Sequence, residues 1–549
     1  MRRLGSRAAS LLPSWRDYRE LPRTWRRDLI AGVTVGIVAL PLALAFGVSS
    51  GAGAEAGLIT AIVAGIVAAV FGGSNVQVSG PTGAMVVVLA PIVASHGVDA
   101  LIVVSVLAGI IVIAAGVLRL GQAVALIPWP VIEGFTLGIA VIIFMQQVPN
   151  AVGVAAGQHP NALVDAVLAV TRADPMTAAL TVGIAAVVAA VMLLAPRLHP
   201  SLPGSIVAIV LVTVVVVVFK LPAASIGELP ASLPMPRLPA ISPDVLVALA
   251  GPAVTVAALA AIESLLSARV ASAVSDTGPY DADRELVGQG LASIAAGLFG
   301  GMPATGAIAR TAVNIRSGAR TRLAALTHAA LLIGIVYLAS GAVATIPLAA
   351  LSGVLMVTAA KMVPLRTVGI ILKSNRSTAV VFLLTALVTV SVDLIYAVLI
   401  GVVVAAFFAL RALARTGGVH RQPLPSPAAP GDERIALLRL DGAIFFGAAE
   451  RVLSSVERVD GVSVVILRMS QVQYLDATGA QALTELVAHL ERRGITVLIK
   501  GIRPTQLRLA DRVGVIDSLR THEHLFQTLE GAVEHARSHV TREAAGKTA

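Results

Sequence analysis

The sequence predicts an α-helical polytopic membrane protein of fourteen spans, arranged as seven plus seven inverted repeats, with a small α/β domain after them. Three observations predict it. The 549 residues are 56% hydrophobic and only 13% charged, with a mean hydropathy of +0.87, and no soluble chain of this length needs so much apolar surface. The hydrophobic part also repeats itself. Phe71-Gly72-Gly73 and Thr82-Gly83-Ala84 recur as Phe299-Gly300-Gly301 and Thr305-Gly306-Ala307, and Ile127-Pro128 with Gly134 recurs as Ile346-Pro347 with Gly353. The offsets run from 219 (127 to 346) to 228 (71 to 299). Finally, the apolar density holds from about Leu29 to Leu413, and beyond it short strands alternate with helices, the pattern of a compact α/β domain.

Composition narrows the classes further. The net charge of +10 comes from arginines beside apolar runs, which reads as membrane topology and not as a nucleic-acid surface. Zero cysteines exclude disulfides and cysteine-ligated metals. Nothing calls for a cofactor. The basic first 27 residues (Arg2, Arg3, Arg7, Arg16, Arg19, Arg23, Arg26, Arg27) have no signal-peptide core, so the first apolar stretch is expected to be retained.

Apolar runs place spans at about 29–48, 54–71, 76–95, 101–118, 128–149, 175–195, 202–219, 245–267, 287–300, 303–316, 323–340, 345–360, 377–392 and 394–410. Starting inside, the outer segments 49–53 and 96–100 carry no Lys or Arg. The inner ones hold Arg119, Arg197, Arg269, Arg284, Arg316, Arg320, Arg322, Lys361, Arg366, Lys373, Arg376, Arg411 and Arg415. The longest outer loop, 220–242, has only Lys220 and Arg237. This asymmetry puts both termini in the cytoplasm. A seven-span displacement between repeats then inverts one half.

Two spans are irregular. Val76 to Gly83 contains Gly80-Pro81 and Thr82-Gly83, so only Ala84 to Ala94 reads as helix; Met302 to Gly306 likewise interrupts the chain before a short helix from Ala307. Non-helical backbone at membrane depth survives only when buried or lining a cavity. Two half-helices therefore point their N-termini at each other near the midplane. Each N-terminus carries roughly half a positive charge and free N–H donors, which suits a small anion. Duplicated halves with such breaks at matching places point to a secondary transporter.

Glu263 stands in the apolar run Ala260–Ser267, with Ser267 one turn on along the same face. Burying a charge there costs roughly 2.5–3.5 kcal/mol, so Glu263 should face the cavity, either as a carrier of the coupling proton or as an interhelical hydrogen bond. Arg310, on the first turn of the second half-helix, adds positive potential to the anion site, pairs with Glu263, or reaches the interface. Glu133 and Asp393 near span ends read as interfacial or capping. Asp276, Asp281, Asp283 and Glu285 read as a solvated acidic loop.

The domain limits implied are an N-terminal segment 1–27, a membrane domain 28–415 (repeats about 28–219 and 243–413), a proline-rich linker 416–432, an α/β domain 433–540 and a tail 541–549. In the α/β domain, Arg434–Leu440, Val462–Met469 and Ile495–Ile499 read as strands, and Gly479–Arg493, Pro504–Val513 and His522–His535 as helices. It has no catalytic cluster and no phosphate-binding P-loop, so neither an enzyme nor an ATP-driven pump is expected.

Four segments, taken together, resemble the SulP (sulfate permease, SLC26-type) anion transporters. They are Gly80–Met85, Glu263–Leu266, Gly288-Gln289-Gly290 through Gly301, and Arg310–Gly318. Leu475-Asp476-Ala477-Thr478-Gly479 resembles the signature of the STAS domain that follows their last span. The resemblance covers about residues 12–540. It implies a core domain that carries substrate past a gate domain as an elevator, homodimers in a bacterial inner membrane, and sulfate, bicarbonate or a similar small oxyanion as substrate. By position it implies an anion contacting Phe46, Thr82, Gly83, Ala84, and the backbone of Gly306, Ala307 and Ile308.

The opening Ala39–Gly47 is most similar to sodium-driven bicarbonate carriers. Those place aspartate at Glu263 and threonine at Ser267 and Ile308. The lost hydroxyl at Ile308 removes an oxygen that a hard cation would want, which favours proton coupling through Glu263 over sodium. A sodium-coupled bicarbonate symporter, a C4-dicarboxylate carrier and a non-transporting STAS-linked sensor remain as alternatives. Ala477 stands where signalling relatives carry a phosphorylatable serine, so that modification is excluded; Asp476 and Thr478 stay as regulatory candidates, Thr478 reading first as a loop cap. A cytoplasmic STAS partner is implied but not identified.

Overall fold

A computed structural model describes residues 11–122, 127–155, 161–198, 203–227, 232–238, 242–363, 365–392, 394–416, 418–445 and 461–547. Arg2, Arg3, Arg7 and Asp393 lie outside the described residues. The membrane helices of the first repeat are α1 (Leu21–Ser49), α2 (Ala54–Phe71), α3 (Gly83–His96), α4 (Ala100–Val117), α5 (Trp129–Gln146), α6 (Pro175–Leu198) and α7 (Gly204–Val218). Those of the second are α8 (Pro243–Val274), α9 (Ala282–Leu298), α10 (Ile308–Arg316), α11 (Leu323–Ala344), α12 (Leu348–Met362), α13 (Arg376–Ser391) and α14 (Leu394–Thr416). Among the described residues, nine are long and apolar enough to cross a membrane and three more are shorter apolar helices. The remaining two are α9 and the half-helix α10. Helix is the form these runs must take, because lipid offers the backbone no hydrogen-bond partner.

The packing carries the inverted duplication. Helix α4 lies on α9 and its counterpart α11 lies on α2; α1 lies on α11 and α8 on α4. In the other body, α5 packs on α13 and α12 on α6. These contacts between repeats thus have their partners with the repeats exchanged. Two bodies result: a core of α1–α4 with α8–α11, and a gate of α5–α7 with α12, α13 and the start of α14, where Gly401 meets Thr385 and Val131. The core is drawn together by small residues. At the α4–α9 crossing a Cβ on Gly109 would lie 2.6 Å from Gly290 O, and one on Gly290 2.5 Å from Gly109 O, so neither position admits a side chain.

Where α3 and α10 begin, the chain forms a two-residue antiparallel ladder of β1 (Ser79–Gly80) and β2 (Thr305–Gly306), in register Ser79↔Gly306 and Gly80↔Thr305. This pairing is absent from the hydrophobic pattern. It satisfies backbone groups that the broken helices leave without partners at membrane depth.

The acidic stretch 276–285 is not simply a solvated face. Glu285 is 1% exposed. Its Oε2 accepts from the N–H groups of Gly73 (2.7 Å) and Ser74 (3.1 Å), and its Oε1 from Gln77 and Gln289 Nε2 (2.9 Å each). Asp281 caps α9 by accepting from Asp283 and Arg284 N–H, and Asp283 Oδ1 accepts from Gly121 N–H. Asp28, which the pattern did not single out, is fully buried and accepts from Arg320 N–H, Thr321 N–H and the hydroxyls of Thr24 and Thr321. Asp17, in the short 3-10 turn Trp15–Tyr18, holds Arg284 through two hydrogen bonds of 3.0 and 2.6 Å, with Arg322 3.9 Å away. Burial pushes the Asp17 carboxyl up, but the Arg284 and Ser14 N–H bonds and the charges of Arg322 and Arg284 outweigh it and leave it below its ordinary value.

The C-terminal unit is a five-stranded sheet of order β3-β4-β5-β6-β7: β3 (Gly418–Gln422), β4 (Ile435–Ile444), β5 (Val464–Leu475), β6 (Thr496–Lys500) and β7 (Leu525–Phe526). Only the β3–β4 pair is antiparallel. One face packs beneath α15 (Ala477–Arg492) and α16 (Pro504–Val513), through Leu483, Leu486, Leu490 and Ala510. The other packs beneath α17 (Leu529–Lys547), through Ala532, Val533, Ala536 and Val540. Two expectations are corrected. Residues 418–422, placed in the linker 416–432, form an edge strand, because pairing with β4 satisfies a polar segment that has no apolar alternation to reveal it. The helix expected at His522–His535 is a 3-10 turn (His522–His524), then β7, then α17 from Leu529, which runs to Lys547 through the expected tail.

Candidate functional site

The crossing of α3 and α10 lies between core and gate. Helices α8, α9 and α13 are capped by the side chains of Ser242, Asp281 and Asn375. Neither Thr82 nor Ala307, at the N-caps of α3 and α10, gives its helix such a bond. The first backbone bonds are Val86 N–H to Thr82 O (3.2 Å) and Thr311 N–H to Ala307 O (2.9 Å). The N–H groups of Gly83, Ala84 and Met85, and of Ile308, Ala309 and Arg310, thus have no protein acceptor among the described residues. Two helix N-termini with free donors and aligned dipoles face one place, the arrangement that holds an anion.

Thr82 is 5% exposed, Ala84 3% and Ala307 6%, whereas Ile308 is 41% exposed, so the start of α10 is open to approach. A Cβ on Gly83 would collide with Ile143 Cδ1 and lie 3.3 Å from Phe46 Cε1. Phe46 belongs to the core helix α1 and Ile143 to the gate helix α5. Gly83 therefore sits between the two bodies, with space for backbone alone.

Glu263, half-buried on α8, joins both halves. Its Oε2 accepts from the Thr82 hydroxyl (2.8 Å) and the Thr305 hydroxyl (2.9 Å), and the two hydroxyl oxygens are 3.2 Å apart. Thr82 and Thr305 are the equivalent threonines of the duplicated motif. Ser264, next to Glu263, accepts from Gly306 N–H at 3.0 Å. One turn of α8 thus fixes both loops.

Ser267 is 1% exposed, and its Oγ lies 3.3 Å from Thr311 Oγ1, which accepts from Val78 N–H; it ties α8 to α10 and makes no bond to the Glu263 carboxylate. Arg310 is 2% exposed. Its Nη2 donates to Pro81 O, and no ion pair with Glu263 is formed among the described residues. It neither reaches the interface nor pairs with Glu263. It lies behind the crossing, with its charge close to the N-terminus of α3. Thr305, Ser264 and Ile143 are additional residues of the crossing. The duplication could have named Thr305 as the counterpart of Thr82, whereas nothing local marks Ile143.

In the C-terminal unit, Asp476 caps α15 by accepting from Gly479 N–H (2.7 Å), and a Cβ on Gly479 would collide with Ile444 O. The capping oxygen is therefore that of Asp476. Thr478, expected to cap this loop, is exposed.

Crossed half-helices between a core and a gate, each built twice in opposite orientation, define a multi-pass membrane transporter and not an enzyme. Residues 25–385 match the sulfate permease family and residues 426–532 the STAS domain. The chain belongs to the sulfate permease family. YvdB of Bacillus subtilis is 32% identical over 510 residues, which cover 91% of this chain and 96% of that protein. The solved transmembrane domain of a cyanobacterium bicarbonate transporter, BicA, is 32% identical with a TM-score of 0.61, covering 70% of this chain and 97% of that one. SLC26A9, at 17% identity, shares the fold alone, with a TM-score of 0.82 over 98% of this chain and 95% of its own.

Proposed function

We propose that this protein is a secondary active transporter of a small oxyanion, sulfate or bicarbonate, that moves the anion together with a proton by elevator-type alternating access. The single observation that carries the reading is the Glu263 carboxylate bonded to one threonine from each half-helix loop. The anion is held by the free N–H groups of Gly83 and Ala84 and of Ile308, with Thr82, Gly306 and Ala307 shaping the floor and Phe46 the wall. Arg310 adds positive potential through the Pro81 carbonyl that it grips.

With Glu263 ionised, Thr82 and Thr305 both spend their hydroxyl hydrogens on Oε2. An anion arriving beside a carboxylate is repelled by it, and a proton on Glu263 removes that repulsion. Loading the two together is therefore favoured over loading either alone, which is what symport requires. The core body then carries both past the gate. The family name favours sulfate, and the likeness to BicA favours bicarbonate. Against sodium coupling stands Ile308, which offers no side-chain oxygen to a hard cation. The arginine asymmetry supports cytoplasmic termini in a bacterial plasma membrane, and the family resemblance supports a homodimer.

The test is uptake of labelled sulfate and labelled bicarbonate into proteoliposomes under an inward proton gradient, an inward sodium gradient, or neither. Stimulation by protons for one anion is the expected result. Glu263→Gln should abolish that stimulation while leaving gradient-independent exchange. Proton-driven accumulation in the mutant overturns the role of Glu263, and stimulation by sodium alone overturns proton coupling.

A further inference from the structure

Helix α11 carries a buried group that the transport reading does not use. His328 on α11 is fully buried, and neither Nδ1 nor Nε2 has a hydrogen-bond partner among the described residues. Arg310 Nη1 is also buried without a partner. An imidazole left so is less stable than one that is satisfied, and an apolar side chain would avoid the loss. Unsatisfied buried groups in native folds call for a reason.

The geometry gives one. Two positions of α2 show what lies across from it. A Cβ on Gly65 would sit 3.7 Å from Ser79 O and 3.9 Å from His328 Nδ1. One on Gly80 would sit 2.6 Å from Arg310 Nη1, with Ala61 Cα at 3.3 Å. Ala61 and Gly65 are one turn apart on the same face of α2. The guanidinium thus reaches β1 at Gly80, and the imidazole lies across the Gly65 position from Ser79 O. Val78 O accepts from Ala307 N–H across the ladder, and carbonyls alternate in direction along a strand. That alternation turns Ser79 O away from β2 and toward the Gly65 notch.

We propose that His328 is a positioning residue for the anion site: through the Gly65 notch its imidazole tethers the Ser79 carbonyl by way of one water, and so holds β1 and the N-terminus of α3 in place. The missing side chain at Gly65 leaves the room, and the notch has the polar partners a bridging water needs. Arg310 grips the same loop two residues on, at Pro81 O. Imidazole and guanidinium then set the two ends of Ser79–Pro81, and with them the direction of the Gly83 and Ala84 N–H groups. His328 touches no anion and acts only through β1. The inference rests on the anion site proposed above.

The experiment is uptake kinetics of labelled sulfate and bicarbonate in proteoliposomes for His328→Phe, His328→Asn and Gly65→Ala, with Glu263→Gln alongside. His328→Phe should raise KM about ten-fold, the worth of one buried hydrogen bond, with kcat changed less than about two-fold. Its thermal midpoint should fall no further than the loss of one buried hydrogen bond allows, and its pH profile should not move. His328→Asn, which keeps a hydrogen-bonding group, should restore KM. Gly65→Ala, whose methyl meets only ordinary contacts, should reproduce the raised KM by filling the notch. Unaltered KM in both His328→Phe and Gly65→Ala overturns the proposal, as does equal KM in the Phe and Asn variants. A pH-profile shift in His328→Phe also overturns it, since that would make His328 a titrating group. Retained proton-driven accumulation in Glu263→Gln would instead refute the coupling role and leave the KM pattern standing. Absence of uptake of either anion by the unaltered chain would refute the transport reading on which this rests.

Discussion

The two halves of the membrane domain share a backbone plan and differ in chemistry. Helix α3 is apolar at its start, with Met85, Val86 and Leu89 buried. Its counterpart α10 buries Arg310, Thr311 and Asn314. Helix α1 brings Phe46 to the crossing, and its counterpart α8 brings Glu263, Ser264 and Ser267. Both halves keep Thr-Gly-Ala at 82–84 and 305–307, and the two threonines bond the same carboxylate oxygen. Duplication supplied two opposed helix N-termini, and divergence then placed the ionisable and hydrogen-bonding groups in the second half. In the proposed mechanism, symmetry builds the electrostatic site, while asymmetry supplies the carboxyl that would carry the proton.

The sharpest way to break this comparison is at the shared threonines. Thr82→Val and Thr305→Val should each lower proton-driven uptake about ten-fold, since hydrogen bonds to a charged group are worth about 1.5–3 kcal/mol. Because both donate to one oxygen, the double mutant should lose much less than the product of the two. Full additivity in uptake assays would mean that the two halves act independently. Next in size, Gly83→Ala should raise KM by about an order of magnitude, as the methyl meets Ile143 and Phe46. Phe46→Leu should change KM only about two- to three-fold, because it keeps an apolar wall. A larger effect at Phe46 than at Gly83, read from the same saturation curves, would move the anion toward α1.

Two smaller effects test the scaffold. Asp17→Asn should lower stability by about 1 kcal/mol after screening, measured as the thermal midpoint in detergent. Because the Asp17 carboxyl titrates below its ordinary value, its contribution is fully present above about pH 4 and is lost as pH falls through the lowered value. The difference between Asp17→Asn and the unaltered chain should therefore vanish in strong acid. Asp476→Ala removes the cap of α15 and should cost about 1 kcal/mol; uptake should not change if that loop is structural.

Much of the fold was legible because lipid imposes a simple rule: apolar runs of the right length must be helices. The repeated Phe-Gly-Gly and Thr-Gly-Ala runs then located the crossing, and Gly80-Pro81 and Pro303 marked where helix could not continue. What stayed hidden were contacts between residues far apart in sequence. Glu285 read as a solvated acid beside Asp281 and Asp283, yet it is enclosed by donors from the α2–α3 loop, more than two hundred residues earlier. Edge strand β3 was hidden for a related reason: its residues carry no alternation, and only pairing with β4 defines it.

By itself the sequence determined the number and kind of spans, the inversion of the halves, the broken helices and Glu263 as an ionisable residue among apolar ones. These follow from local composition and from period, which a chain carries whether or not it is folded. Only the tertiary structure decided that Thr82 and Thr305 converge on one oxygen of Glu263, that Arg310 grips Pro81 and forms no ion pair with that carboxylate among the described residues, and that His328 is buried across Gly65 from the Ser79 carbonyl. Hydrogen bonds act over about 3 Å, so their partners are set by how helices cross, and that is fixed by the packing of the whole core.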